Sequence, residues 1–576
     1  MRKLSPYLKP HWLFVLLAPL LMVLEVCMDL LQPRLMATII DEGIMTGDLS
    51  LVQSTGAWML LVAFIGLLGG VGCTVFASFA SVHFAADLRE DLYKRVQSFT
   101  FKQLDRFSGG QLVTRLTNDV TQLQLFVEML LKIFVRSPLL IIGSTIMVII
   151  ISPKLALVLV VSMPLLFTAL YLLVRYAFPM FSKVQTRLDG VNNVLQENLR
   201  GMRLVKAFVR GDFERKKFQQ QNTEYTDFAI KAFRIMALNM PVMMLIMNVS
   251  IVAILWFGAG QTWAGHLPVG DLVAFINYVT QVLFSLLMVG MLMMSISRAK
   301  ASADRVNEVL NVEAEKQTPK AQPLKYVNGN IEFRNVSFAY EKEQELILKD
   351  ISFEAKRGER VAILGAAATG KSSLIHLIPG LYEPREGSVL LDGKNVLDLP
   401  FEELRKHIGL VLQQTILFSG TIFENISFGK PDASMDEVIA SAKAAQAHEF
   451  ISKMPNGYDT VLGQRGVNLS GGQKQRISIA RALLLKPAVL ILDDSTSAVD
   501  VKTEIAIQKA LQTDWSDCTC IFIAQRISSV IDADRIIVLE NGEIAAEGKH
   551  EELLLNSPIY QEIYASQQRK EEILHA

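Results

Sequence analysis

Cysteine is nearly absent from this sequence. There are four in 576 residues, at Cys27, Cys73, Cys518 and Cys520, with no even framework and no paired C-x-x-C spacing, which excludes a disulfide-stapled scaffold and a zinc module. Excess charge of either sign is also missing: 57 Lys and Arg balance 57 Asp and Glu, and the pI is about 7.1. Such a chain carries no electrostatic footprint for nucleic acid. Charged residues make up only 20% of the chain, against 51% hydrophobic, and the mean hydropathy is +0.31. These values exclude a disordered chain and a purely soluble enzyme, and they imply a membrane-embedded part. The neutral total hides an asymmetry, because residues 1–300 hold 27 basic against 18 acidic residues and the remainder holds 30 against 39. One half is therefore +9 and the other −9, which argues for two domains in different surroundings. No signal peptide is expected, since little room precedes the first apolar stretch and no small-residue cleavage site stands out.

Six apolar stretches are long enough to cross a bilayer, which takes about 20 helical residues for about 30 Å of hydrocarbon. They fall near 12–33, 56–85, 131–152, 155–178, 238–262 and 270–296. Basic residues cluster before the first (Arg2, Lys3, Lys9), between the second and third (Arg89 to Arg115) and between the fourth and fifth (Lys183 to Arg234). The other loops are nearly bare of them. By the positive-inside rule, both termini and both long loops are expected in the cytoplasm. The long loops repeat apolar residues at spacings of three and four, as in Val184, Leu188, Val191, Leu195 and Leu199, so helices are expected to continue well beyond the membrane. Each loop turns at a small-residue spot, Ser108-Gly109-Gly110 and Arg200-Gly201-Met202, either a plain bend or a docking point for another domain.

Ionisable residues inside a span are costly and are functional candidates by default. Glu25 and Asp29 lie one helical turn apart on one face. They either line the outer part of a polar substrate cavity, or pair with a helix neighbour such as Arg34 or cap loops at the interface. Met236, Met240, Met243, Met244 and Met247, with Met288, Met291, Met293 and Met294, give flexible thioether surfaces. These suit either ordinary helix packing or a pocket that accepts many apolar shapes.

Beyond residue 329 the pattern changes to short strands, turns and amphipathic helices, after a linker at 312–328 that carries Glu313, Glu315, Lys316, Pro319, Lys320 and Pro323. The membrane domain is thus expected to cover 1–311 and the second domain 329–576. The buried run from Val361 leads into Gly365-Ala366-Ala367-Ala368-Thr369-Gly370-Lys371-Ser372-Ser373 and then a helical segment. This fits the phosphate-binding loop G-x-x-x-x-G-K-[ST] in its strand–loop–helix context. Backbone N–H groups and a helix N-terminus would surround the phosphates of ATP, Lys371 would reach the outer phosphate oxygens, and the Ser372 hydroxyl would meet Mg2+. A second apolar strand, Ala488 to Leu492, ends in Asp493-Asp494, which makes Asp493 the expected partner of Ser372 at the metal. Between these motifs, Leu469-Ser470-Gly471-Gly472-Gln473 opens another helix and creates a second anion-binding N-terminus. One chain needs two such sites only if one of them serves a neighbouring molecule.

Together these residues resemble the ABC transporters, specifically exporter half-transporters in which a six-helix all-α membrane domain is fused to an α/β P-loop ATPase domain with a helical subdomain. The resemblance spans essentially the whole chain. It implies that Tyr340 stacks on adenine and that Gln413 senses Mg2+ and the membrane domain. It further implies that Leu469 to Gln473 act as the signature on ATP held by a partner, that Ser497 and Asp500 form the D-loop, and that the two cytoplasmic turns are coupling helices. Three positions depart from the family pattern. Asp494 stands where the family has the Glu that polarises the attacking water, Gln525 replaces the switch His, and Ala368 takes the place of a central Gly in the phosphate loop. A carboxylate misplaced by about 1 Å can cost on the order of 100-fold in rate, and Ala disfavours positive φ.

The first two departures fall on the hydrolytic machinery while the signature is intact. That pattern resembles the degenerate-site subunit of bacterial heterodimeric multidrug exporters. It implies a bacterial plasma-membrane protein that exports hydrophobic or amphipathic small molecules beside a second half-transporter, with hydrolysis mainly at the site the partner completes. A lipid flippase or peptide exporter, a homodimer with two slow sites, and an ATP-gated channel regulator remain as alternatives.

Overall fold

A computed structural model describes residues 2–312, 326–341, 343–495 and 499–575, apart from the side chains at positions 2, 174, 178, 290–294 and 569–575. Two compact units emerge. The first comprises Met1–Gln97 and Gly109–Val312, the second Ser98–Ser108 and Glu313–Ala576.

The first unit is helical throughout its length. Among the described residues, six helices are long and apolar enough to cross a membrane: Trp12–Ile44, Leu49–Gln97, Gly109–Ile151, Pro153–Arg200, Gly211–Trp263 and Val269–Val289, the last continuing to Leu310. Several exceed the apolar stretch read from the sequence because amphipathic segments extend them, as the three–four periodicity predicts. In lipid only an element that satisfies its own backbone is viable, so helix is the only local choice for these stretches. The tight corner between the third and fourth helices is set by Ser152, whose hydroxyl accepts from the Leu155 N–H (3.4 Å), with Pro153 at the first helical position. The sixth helix is the most enclosed. It buries Phe275, Tyr278, Val279, Val282 and Leu283 against Leu155, Leu159 and Met243, and the Tyr278 hydroxyl donates to the Leu30 carbonyl at 2.6 Å. Near its far end, Asp119 lies on a π-helical turn of the third helix and is 2% exposed. Its carboxylate accepts from Arg305 and from Ser302 (2.8 Å), and Arg115 pairs with Glu308 at 2.8 Å.

Among the described residues, the second unit contains three sheets. Strands β1 (Ile331–Phe338), β2 (Leu348–Ala355), β4 (Glu386–Leu391) and β5 (Lys394–Asn395) form an antiparallel sheet in the order β2-β1-β4-β5. The central sheet is ordered β12-β11-β3-β10-β9-β6, from β3 (Arg360–Gly365), β6 (Ile408–Val411), β9 (Val489–Asp493), β10 (Thr519–Ile523), β11 (Arg535–Glu540) and β12 (Glu543–Gly548). All its neighbours run parallel except the edge pair β11–β12. A short pair, β7 (Gly420–Thr421) with β8 (Val461–Leu462), completes the set. Strands covered on both faces read as continuous apolar runs, and the two cores divide these runs by alternate residues. Ala362, Leu364, Leu490, Leu492, Cys520 and Phe522 belong to one core, and Val361, Ile363, Val489, Ile491, Ile521 and Ile523 to the other. Their parallel pairing brings the carboxyl ends of β3, β10, β9 and β6 to one edge of the sheet.

Residues Ser98–Ser108 join this second unit although they lie between two membrane helices in sequence. Thr100 and Gln103 form a capping box that starts the short helix Phe101–Arg106. Tyr382 donates to the Asp105 carboxylate (2.7 Å) and packs edge-on against Phe101.

Candidate functional site

In an open parallel sheet, ligands bind outside the carboxyl ends of the strands, and four segments converge at that edge. The loop Gly365–Gly370 leaves β3, Asp493 and Asp494 end β9, Gln525 follows β10, and Gln413 follows β6. The loop turns back into the helix Lys371–Leu377 through Gly370 at φ +92°, where an added Cβ would lie 2.8 Å from Leu348. Ala368 sits at φ +64°. The central loop position therefore adopts the left-handed conformation that a side chain disfavours, at about 1–2 kcal/mol. Asp494 is left-handed as well (φ +46°), a conformation Asp tolerates better through local hydrogen bonding.

The Lys371 ammonium folds over the loop and donates to the carbonyls of Gly365 (2.9 Å) and Ala366 (2.5 Å). Ser372 Oγ lies 3.0 Å from Asp493 Oδ1, so a hydroxyl and a carboxylate converge on one point. Burial pushes the carboxyls of Asp493 and Asp494 above the usual range and holds the Lys371 ammonium below its own, while the opposite charges of these groups pull back against that effect. The paired oxygens of Ser372 and Asp493 fit a small hard cation such as Mg2+, whereas Gln413, expected at the same metal, is placed with its Nε2 toward Asp494. A loop that carries Lys371 at a helix start fits a polyphosphate. Tyr340 stands beside the loop, its hydroxyl 2.9 Å from Ser373 Oγ and its ring edge-on to Tyr382 and Phe338.

The two polar departures from the family pattern are one structural feature. Gln525 Nε2 donates to Asp494 Oδ2 at 2.7 Å, and Gln413 Nε2 approaches the same oxygen at 3.5 Å. A carboxylate 7% exposed is thus bound by amide donors.

The expected signature lies elsewhere in the unit. Ser470 and Gln473 cap the helix Gly471–Leu484 reciprocally, Ser470 Oγ accepting from the Gln473 N–H (3.3 Å) and Gln473 Oε1 from the Ser470 N–H (2.9 Å). No hydrogen bond joins Leu469–Gln473 to the loop Gly365–Ser373 among the described residues. Asp500 caps the next helix through the Thr503 N–H (3.0 Å). Ser497 and most of the linker 312–328 lie outside the described residues.

In the first unit, Glu25 and Asp29 do not pair with Arg34, which bonds Asp271 at 2.8 Å. Both meet Arg136 of the third helix, at 2.6 Å and 2.9 Å, and line a cavity of about 830 Å³ between the first three helices. Arg136 falls within a predicted span, so the rule that singled out the two acids points to it equally. The methionines divide: Met243 is buried in the core, while Met240 and Met244 are exposed. The side chains of Met291, Met293 and Met294 are outside the described set.

Comparison with known proteins follows the same division of the chain. Residues 15–286 match the family described as ABC transporter transmembrane region, and residues 348–497 match the ABC transporter family. An uncharacterized ABC transporter ATP-binding protein of Bacillus subtilis, YfiB, is 45% identical over 98% of both chains. The putative multidrug export ATP-binding/permease protein YgaD of the same organism is 34% identical over 98% of this chain and 99% of its own. Among solved structures, a bacterial Atm1-family ABC exporter with ATP bound superposes with a TM-score of 0.79 at 27% identity, covering 96% of this chain and 98% of that one. The chain belongs to the ABC transporters, with a transmembrane region and an ATP-binding domain fused in one polypeptide of exporter fold. It is a multi-pass membrane protein whose ATPase domain serves transport.

Proposed function

We propose that this chain is one half of a heterodimeric exporter of hydrophobic or amphipathic compounds, holding ATP at a slow site of its own and completing a faster site on its partner. What supports this reading is the pairing of Asp494 with Gln525 beside a fully formed signature helix. A water-activating carboxylate needs a free acceptor oxygen at the right distance. Asp494 is one methylene short, and an amide donor already engages one of its oxygens. The signature helix keeps the N–H groups of Gly471 and Gly472 for an anion outside this chain's own loop.

In this mechanism Tyr340 orients the base, the loop amides and Lys371 bind the phosphates, and Ser372, Gln413 and Asp493 hold the metal. When bound, Mg2+ neutralises charge on the outer phosphate oxygens. Both termini and both long loops face the cytoplasm of a bacterial cell, consistent with the basic residues there. Closure of the paired ATPase domains passes to the membrane helices through Ser98–Ser108, which Tyr382 grips at Asp105. It passes also through the turn near Gly201, where Phe208 and Val209 stand 70% and 87% exposed for a partner to cover.

The test is the ATPase rate of the purified complex carrying Asp494→Ala. It is expected to keep more than half of the wild-type rate. Loss as complete as that from removing the partner's catalytic Glu would overturn the reading. A wild-type complex that moves no hydrophobic or amphipathic compound into inside-out vesicles, but does move lipid, would assign it as a flippase instead.

A further inference from the structure

The cavity between the first three membrane helices combines apolar walls with unbalanced charge. Met22, Met28, Leu67, Val71 and Ile133 supply thioether and aliphatic surface, and about 830 Å³ is the size of a pocket for a drug-sized ligand. On one side stand Glu25 and Asp29, one turn apart on the first helix. Gly70 of the second helix makes room for them, since a Cβ there would lie 3.0 Å from the Glu25 carboxylate. Opposite them stands Arg136, whose Nη1 donates to Glu25 Oε1 (2.6 Å) and Nη2 to Asp29 Oδ2 (2.9 Å). The other cation on the lining, Lys132, is engaged by Glu128 at 2.7 Å. The lining itself holds two acids and two cations, but with Lys132 satisfied by Glu128 from outside the lining, Glu25 and Asp29 share the single guanidinium of Arg136, a local formal −1.

The pairing is also open to the cavity. Side-chain exposure is 43% for Arg136 and 36% for Asp29, so the guanidinium sits on the mouth of the site and is not locked beneath it. A planar fork of two N–H donors spanning carboxylates one helical turn apart is a specific geometry that a point charge lacks. A quaternary ammonium has no donor to offer it.

We infer that Glu25 and Asp29 form a subsite for the guanidinium or amidinium headgroup of an amphipathic cation, whose apolar body lies along Met22, Met28 and Leu67, and that Arg136 is the built-in occupant such a ligand displaces. The negative balance favours the cation, the N–H fork selects the headgroup, and the flexible Met side chains adapt to the tail. The inference rests on the export reading only for what happens to the ligand after it binds.

The test is equilibrium binding of radiolabelled dodecylguanidinium and dodecyltrimethylammonium to the full complex in nanodiscs, with uptake by empty discs subtracted. The wild type is expected to favour the guanidinium at least tenfold, and Glu25→Gln with Asp29→Asn to erase that preference. Arg136→Ala and Arg136→Gln are expected to bind at least threefold tighter, because the competitor is gone; a purely structural ion pair predicts weaker binding instead. Equal binding of the two headgroups, or unchanged or weaker binding in both Arg136 variants, overturns the assignment. Binding without ATP-dependent transport of dodecylguanidinium counts against export and leaves the site standing. Transport that the double carboxamide variant leaves intact counts against the site and leaves export standing.

Discussion

If this chain's own ATP site is slow, as proposed, speeding it requires two substitutions together. Asp494→Glu lengthens the carboxylate by one methylene, about 1.3 Å, and a displacement of about 1 Å is worth on the order of 100-fold, or about 2.7 kcal/mol of barrier. The added length has nowhere to go, however, while Gln525 Nε2 stands 2.7 Å from Asp494 Oδ2 in a site where that residue is 7% exposed. Overpacking of this kind costs about 1–3 kcal/mol and displaces the group that was to be placed, which cancels most of the gain. Asp494→Glu alone is therefore expected to raise turnover at this site less than about threefold, and Gln525→His alone not at all. The pair together is expected to raise it about 30-fold or more, a coupling of at least about 1.4 kcal/mol between neighbours in contact. The assay is photolabelling of the complex with azido-ATP followed by the ADP-to-ATP ratio on this chain, separated from its partner by gel. Full rescue by Asp494→Glu alone would refute the reasoning, since the Gln525 contact would then constrain nothing.

Three further outcomes follow from the geometry. Ala368→Gly relieves left-handed strain of about 1–2 kcal/mol and costs about 0.4–1 kcal/mol through the unfolded chain, so thermal denaturation of the complex should show no loss and up to about 1.6 kcal/mol of gain; a loss of about 1 kcal/mol would contradict it. Asp119→Ala removes a buried carboxylate that accepts from Arg305 and Ser302, and because Arg305 is half exposed and can turn to water it should cost about 1.5–3 kcal/mol, read as a fall in melting temperature of the detergent-solubilised complex; an unchanged melting point would show the network to be dispensable. Burial pushes the thiols of Cys518 and Cys520 up to about 12, so at pH 8 neither presents appreciable thiolate. N-ethylmaleimide should spare both of them in the folded complex and label both once the domain is denatured, read by peptide mass mapping, and rapid modification of Cys518 in the folded complex would refute the burial assigned to it.

The legible part of the sequence was whatever is written locally. Six apolar runs, a strand–loop–helix phosphate motif and an apolar strand ending in two acids each specify an element within about 20 residues, and the helices and strands stand where those runs are. What the sequence hid were the meetings of distant segments. Asp494 and Gln525 read as two separate departures from a family pattern; their hydrogen bond exists because β10 lies beside β9, a pairing across 31 residues. Glu25 and Asp29 were visible as a pair because they share one helix face, but the choice of Arg136 over Arg34 depends on how the third helix packs. The grip of Tyr382 on Asp105 joins residues 277 apart in sequence, and no local pattern announces it.

The central claim, that this chain supplies one slow site and half of another chain's fast one, is tested most directly by native mass spectrometry of the complex purified through a tag on this chain alone from its own cell. A one-to-one assembly with a second polypeptide of similar size, carrying Glu and His where this chain has Asp494 and Gln525, is the result predicted. A homodimer that hydrolyses ATP would contradict it, because Asp494 and Gln525 would then have to serve every turnover.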